Sequence, residues 1–406
     1  MKKRCNICNH KFIDKLSLGK HPCADTFLKN RLKAQKLKRY PLEVGFCKCS
    51  HMTSIYPVPK YIRYEKYDYS YTSDNSIVSR THFKDIAYNL TRNHKLNKKS
   101  FVVEAGSNDG TFLKKIYNFS KAKILGVDPS KNITDISRKK KIETFTNYFS
   151  RATAKIILKK FGKADIIYGA NVFNHVDDSD DFLEGAKILL KKDGHLILEV
   201  PDLNSLIKKV GFDTIYHEHR HYFSEKSICK VLKKNNFFVY KIKKINYMSG
   251  SLRVFASKLK KKNQFYNPRK VSLNEFKIFK KKVLLIIQKV KEFIKKHQYT
   301  IGVGAATKGN TLLNCCEITD KDLKFIVDKS KHKINKFAPG TGIKIIKETN
   351  NINADSALIL PWNITKFLIK KKFFKRIKYT SIPKIIKSLK RTKKKKLIKK
   401  IKEDLF

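Results

Sequence analysis

The stretch Ser100-Phe-Val-Val-Glu-Ala-Gly-Ser-Asn-Asp-Gly110 decides the fold. SFVVEAG is a short apolar run that ends on a glycine, so it reads as a buried strand turning sharply. Gly106 frees the backbone for that turn, and Gly110 opens a helix predicted over Gly110–Phe119, with its first N–H groups unpaired. The next strand, Ala122–Asp128, ends in a carboxylate 22 residues past Gly106, where Asp128 can take both hydroxyls of a ribose. A dinucleotide fingerprint needs Gly-x-Gly-x-x-Gly, and Asn108 with its acidic neighbours argues against a pyrophosphate at this turn. Glu104 and Asp128 would repel phosphate but accept an amino group and a sulfonium, which fits S-adenosylmethionine (SAM) better than NAD.

Outward from this turn, strands and helices alternate. ADIIYGAN (Ala164–Asn171) is a third strand, and GHLILEVP (Gly194–Pro201) a fourth after a helix over Asp180–Leu190. Such spacing predicts an α/β fold with a parallel, Rossmann-like sheet. FFVYKIKKI and GSLRVFASK, separated by Ser249–Gly250, are expected to pair antiparallel at one edge. Upstream, the aromatic stretch Tyr61–Tyr71 leads into a helix over Ser79–His94. Downstream, apolar residues at 276, 279, 283, 287, 290 and 294 predict a long amphipathic helix acting as a spacer. A second α/β unit follows, with strands at TIGVG, Leu323–Asp328 and Ser356–Trp362. The expected division is a zinc-binding module over 1–59, a central domain over 60–260, a linker helix over 261–296, a second Rossmann-like domain over 297–385 and a basic tail over 386–406.

The 406 residues carry 91 Lys+Arg against 34 Asp+Glu, a formal charge of +57. The surplus is mostly lysine, whereas nucleic-acid readers favour the planar fork of arginine, so compositional drift explains the charge better than nucleic-acid binding. No apolar run is long enough to span a bilayer, and the N-terminus has no secretion-signal core. A cytoplasmic address and a monomer or weak oligomer are expected. Five of the eight cysteines lie in the first 49 residues, a bias that in a reducing compartment points to metal. Cys5-x-x-Cys8 and Cys47-x-Cys49 would close a four-thiolate structural Zn²⁺ site.

Tyr216-His217-Glu218-His219 carries the densest chemistry. Glu218 and His219 are adjacent and match neither a helical nor a zincin metal pair, so His219 reads as a general base beside a carboxylate. A base with a pKa near 7 can take a proton from carbon next to a ketone if the enolate oxygen is stabilised. Gly302-Val-Gly304-Ala-Ala-Thr-Lys308-Gly-Asn310 fails as a P-loop because its lysine precedes the glycine. It works as a strand–turn–helix anion site, with Lys308 adding charge and Asp328 ending the following strand.

VEAGSNDGTFL, GVDPS and YGANVFNHVDD resemble the nucleoside-binding motifs of class I SAM-dependent methyltransferases. LGKHPCADTFL, YDYSYTS, YHEHRHYFS, SGSLRVFA, GAATKGNTLLN, KINKFAPGTGIKI and LPWN extend the likeness to the three-domain sugar C-methyltransferase family, from the first cysteine pair to about residue 385. The resemblance implies an N-terminal zinc module, a central SAM domain and a C-terminal domain holding a nucleotide-diphosphate sugar. It places cofactor contacts at Glu104, Gly106, Asn108, Gly110, Asp128 and Asn171, and substrate contacts at Gly304, Lys308, Asn310 and Asp328. Catalysis falls to Glu218 and His219, with Tyr216, His175 and a tyrosine of YDYSYTS around the sugar. Tyr69 is preferred for that tyrosine over Tyr67 and Tyr71. The family has Cys-x-x-Cys where this chain has Cys47-x-Cys49, so His51, His10 or Cys23 could replace the fourth ligand. The implied reaction is methylation at C-3 of a nucleotide-linked 4-keto-deoxysugar. The alternatives are O- or N-methylation of a small metabolite or glycan, and a non-catalytic zinc-bearing nucleic-acid-binding protein.

Overall fold

The computed structural model describes residues 4–74, 76–260 and 267–391. The chain forms two compact units from interleaved segments. The first takes Met1–Asp14, Gly45–Ser205 and Glu218–Val271; the second takes Lys15–Val44, Leu206–His217 and Ser272–Phe406. The units thus cut across the linear division expected from the sequence. Most of the expected tail, and part of the expected linker, lie outside the described residues.

The cysteine-rich N-terminus is richer in strands than its composition predicts: β1 (Asp14–His21), β2 (Tyr40–Cys47) and β3 (His51–Ser54) join β9 (His221–Phe223) in the order β1-β2-β3-β9. Between β1 and β2 lies a short helix, Arg31–Gln35, capped by Asn30.

A seven-stranded sheet forms the centre of the first unit. Its strands are β4 (Phe101–Ala105), β5 (Lys123–Asp128), β6 (Thr144–Thr146), β7 (Ala164–Ala170), β8 (Leu190–Pro201), β10 (Phe238–Ile245) and β11 (Ser251–Ser257), in the order β10-β11-β8-β7-β4-β5-β6. All are parallel except β11, which runs against both β8 and β10 as the edge pair predicted. Residues of one strand alternate between two cores: Phe101, Val103 and Ala105 pack on one face, and Val102 on the other. That is why these strands read as unbroken apolar runs rather than as alternation. Chain order reverses between β4 and β7, so the turns after those strands open a crevice at their carboxyl ends.

The second unit has a smaller parallel sheet, β12 (Thr300–Val303), β13 (Ile326–Asp328), β14 (Ile345–Lys347), β15 (Ser356–Ile359) and β16 (Lys378–Thr380), ordered β14-β13-β12-β15-β16. The amphipathic helix spans Leu273–Lys295 and starts on a Ser272/Glu275 capping box. It buries Phe276, Phe279, Val283, Ile286, Val290 and Ile294 within this unit, so it is an integral element and not a spacer. No helix of the described residues is long and apolar enough to cross a membrane.

Candidate active site

The turn after β4 is built as its sequence demands. Gly106 sits at φ +66°, its N–H bonds Val127 O at 2.8 Å, and a Cβ there would lie 2.8 Å from Val172. Asp128 accepts the backbone N–H groups of Asn108 and Ser130, both at 3.0 Å, which locks the strand-end carboxylate beside the turn. Gly110, at φ +74°, opens the helix Thr111–Ser120. Asn171 ends β7 at φ +53° and donates its N–H to Glu199 O at 2.8 Å.

Asn108 holds a covering strap. Its amide donates to Tyr71 O at 3.1 Å and accepts from Ser73 N–H at 2.9 Å, while Asn132 makes the same two-way clasp on the backbone of Tyr69. Glu104 is buried, and its Oε2 has no hydrogen-bond partner among the described residues. Burial, with Asp109, Asp128 and Glu199 nearby, holds its carboxyl well above the usual range. A buried carboxylate crowded by others is costly unless a cation answers it. A sulfonium with an ammonium is such an answer, so these residues fit SAM.

Beside this crevice the histidines of two separate motifs come together. The Asn174 carbonyl accepts the N–H groups of Arg220 and His221, at 2.8 and 3.0 Å, and this clamps the turn after β7 onto the segment entering β9. His175 and His219 are thereby brought edge to face, ring centroids 4.8 Å apart. Burial holds His175 well below the usual histidine range, and the neighbouring His219 and Arg63 add to the effect, so His175 is neutral. Glu218 and His219 are both buried.

Tyr64, which the sequence reading did not weigh, places its hydroxyl 2.8 Å from His175 Nδ1. The Tyr69 ring lies tilted against it, centroids 6.0 Å apart, while the Tyr71 hydroxyl turns to Tyr247 and Ser79. Five tyrosines in eleven residues made the choice illegible from sequence. What selects Tyr64 is Arg63, whose buried guanidinium grips Val58 O, His175 O and Asp177. Of the other histidines in this segment, His221 bonds His51 Nε2 at 3.1 Å and Val176 O at 3.1 Å. His217 belongs to the second unit and bonds His21 O.

The Sγ atoms of Cys5, Cys8, Cys47 and Cys49 lie within 4.8 Å of one another. Cys5–Cys49 and Cys8–Cys47 separations are 3.7 and 3.3 Å. A tetrahedron with Zn–S bonds near ~2.3 Å needs sulfurs about 3.8 Å apart, so the set fits the ion. Cys49 closes it despite the shortened spacing, and His51 is occupied by His221. Hydrogen bonding from Cys49 pulls the Cys5 thiol down to about 5, and the same bond pushes Cys49 up.

In the second unit, Gly304 at φ +82° donates to Val327 O at 2.8 Å, and Asp328 accepts from Ala305 and Ser330 N–H, a copy of the Gly106–Asp128–Ser130 arrangement. Two residues differ from the expected phosphate site. Lys308 is drawn under the Trp362 ring, 4.2 Å from its centroid, and lies 3.9 Å from the buried Asp213. The Asn310 amide is committed to Ala24 O at 2.7 Å. Tyr216, half-buried, lines a shallow cleft of this unit with His21, His217 and Asn314.

Known proteins resemble the chain in both halves. The family described as "Methyltransferase domain" matches residues 78–242, and "C-methyltransferase C-terminal domain" matches 248–379. The chain is 28% identical over 393 residues to C-methyltransferase NovU of Streptomyces niveus, covering 91% of this chain and 93% of that one. It is 26% identical over 140 residues to the ubiquinone biosynthesis O-methyltransferase of Pelagibacter ubique, covering 31% of this chain and 57% of the relative. Magnesium protoporphyrin IX methyltransferase from Synechocystis PCC 6803 aligns in structure at 16% identity and TM-score 0.34, over 44% of this chain and 78% of its own. Fold and domain content make the chain a class I SAM-dependent methyltransferase. More narrowly, it resembles a C-methyltransferase over nearly its whole length, and its methyltransferase domain is followed by a C-methyltransferase C-terminal domain.

Proposed function

We propose that the protein methylates C-3 of a nucleotide-linked 4-keto-deoxysugar through an enolate. The observation that carries this reading is the edge-to-face His175–His219 pair, with burial holding His175 below the usual histidine range and the buried Glu218 next to His219 in the chain, beside a carboxylate-lined cofactor turn. His219, poised by Glu218, takes the C-3 proton. The developing C-4 oxygen is stabilised by a hydrogen bond from His175, and Tyr69 lines the sugar. SAM, held at Glu104, Gly106, Asn108, Gly110, Asp128 and Asn171, supplies an electrophilic methyl group. The strap Tyr69–Asp74 excludes water from that crevice. Gly304 and Asp328 of the second unit form a separate nucleotide-binding turn, from which the Lys308 and Asn310 side chains are withdrawn to Trp362, Asp213 and Ala24. Zn²⁺ on Cys5, Cys8, Cys47 and Cys49 is structural, because four thiolates leave no open position.

Solvent deuterium tests the carbon acid. With a 4-keto sugar nucleotide and no SAM, deuterium should wash into C-3, and His219→Ala should lose roughly 10²–10⁴-fold in exchange and methyl transfer while binding SAM normally. Methyl transfer without any wash-in would make the enzyme an O- or N-methyltransferase instead. Near-full methylation by His219→Ala would remove the base assignment.

A further inference from the structure

Resting on the reading of His175 as an oxyanion donor, we propose that Tyr64 is a positioning residue. It fixes His175 as the Nε2–H tautomer, so that this ring meets the substrate oxygen as a donor and leaves proton removal to His219.

The argument is a count of protons. The Tyr64 hydroxyl has three neighbours: His175 Nδ1 at 2.8 Å, Glu218 O at 3.4 Å and Arg63 Nη1 at 3.4 Å. The guanidinium can only donate to it. Burial pushes the Tyr64 phenol up, so it keeps its single proton. That proton goes to the nearer acceptor, because hydrogen bonds weaken steeply with distance. A neutral imidazole whose Nδ1 accepts must carry its hydrogen on Nε2. His175 Nε2 takes no hydrogen bond from the described residues, which leaves it for a ligand.

The surroundings hold this arrangement rigid. Tyr64 and His175 lie nearly parallel, 25° between planes, and Arg63 sits 5.1 Å from the tyrosine ring. Arg63 also binds the His175 carbonyl at 3.0 Å and both oxygens of Asp177 at 2.7 Å, and Arg220 takes Asp177 from the other side at 2.9 Å. Ring and backbone of His175 are therefore fixed by different groups, and removing the phenol oxygen alone leaves the backbone grip intact.

The test is the nitrogen-15 spectrum of the full chain labelled at histidine, with His175 identified by its absence in His175→Gln. At neutral pH, Nδ1 of His175 should resonate as an unprotonated acceptor and Nε2 as a protonated donor. Tyr64→Phe should mix the tautomers and lower kcat about 10–100-fold, with KM and SAM affinity changed less than about twofold. A wild-type His175 protonated on Nδ1 would overturn the proposal even if the variant failed to fold. So would a Tyr64→Phe enzyme with unchanged kcat. A purely structural tyrosine would lower thermal stability and SAM affinity together and leave the tautomer as it was. Should the tautomer be as stated while deuterium wash-in is absent, the sugar reading fails and the tautomer assignment survives.

Discussion

Gly106 shows how much one missing methyl group decides. Its positive φ and the closeness of Val172 both forbid a side chain. Gly106→Ala should destabilise the fold by about 1–3 kcal/mol, and thermal melting with Val172→Ala added should recover the part due to the clash. Asp128 belongs to the same scale. Burial pushes its carboxyl up to about 6, although bonds from Ser130 and Asn108 pull the other way. Between the ordinary carboxylate value and about 6 the folded chain retains a proton that the unfolded chain has lost, so this group's contribution to stability falls as pH rises through that window. Ligand binding runs oppositely, since a protonated Asp128 has lost acceptor capacity for a ribose. Calorimetry of S-adenosylhomocysteine should show affinity falling as pH drops below about 6, and Asp128→Asn should be weak and nearly flat with pH. The turn at Gly106 and the strand-end placing of Asp128 were legible because a glycine after one apolar run and a carboxylate closing the next are features of local sequence. Tyr64 was not, because its selection depends on Arg63 reaching residues more than a hundred positions away.

Among the elements, the hairpin of β2 and β3 carries half of the cysteine set and then pairs with β9. Cys49→Ser should lose close to one zinc per chain, measured by elemental analysis, and melt at lower temperature, since structural metal binding is coupled to folding. The buried strands of the central sheet were readable as apolar runs because both of their faces are covered. β1 escaped notice because Leu16 and Leu18 alternate with Lys15, Ser17 and Gly19 in a stretch that looks polar on average. β6, β14 and β16 have three residues each, too few for any periodicity.

For the whole molecule, the interleaving of segments makes a direct prediction. A fragment of residues 272–391 should not fold alone, as circular dichroism and amide spectra would show. It would lack the Leu28–Phe337 bridge, the Arg39 bonds to Asn314 and Gly340, and the Asp213 carboxylate that receives Trp362 Nε1 at 2.6 Å. Addition of 15–44 and 206–217 in one chain should restore it. This partition was invisible in the sequence, because domain edges were sought where composition shifts, whereas here they follow contacts across some three hundred residues. The pairing of His51 with Phe223, Met52 with Tyr222 and Thr53 with His221 has a practical corollary. The thiolate hairpin is the immediate sheet neighbour of the strand that His219 enters, whereas the cofactor turn hangs from β4 in another sheet. A preparation stripped by chelator would therefore imitate a dead point mutant, still taking up its sulfonium ligand while releasing no product.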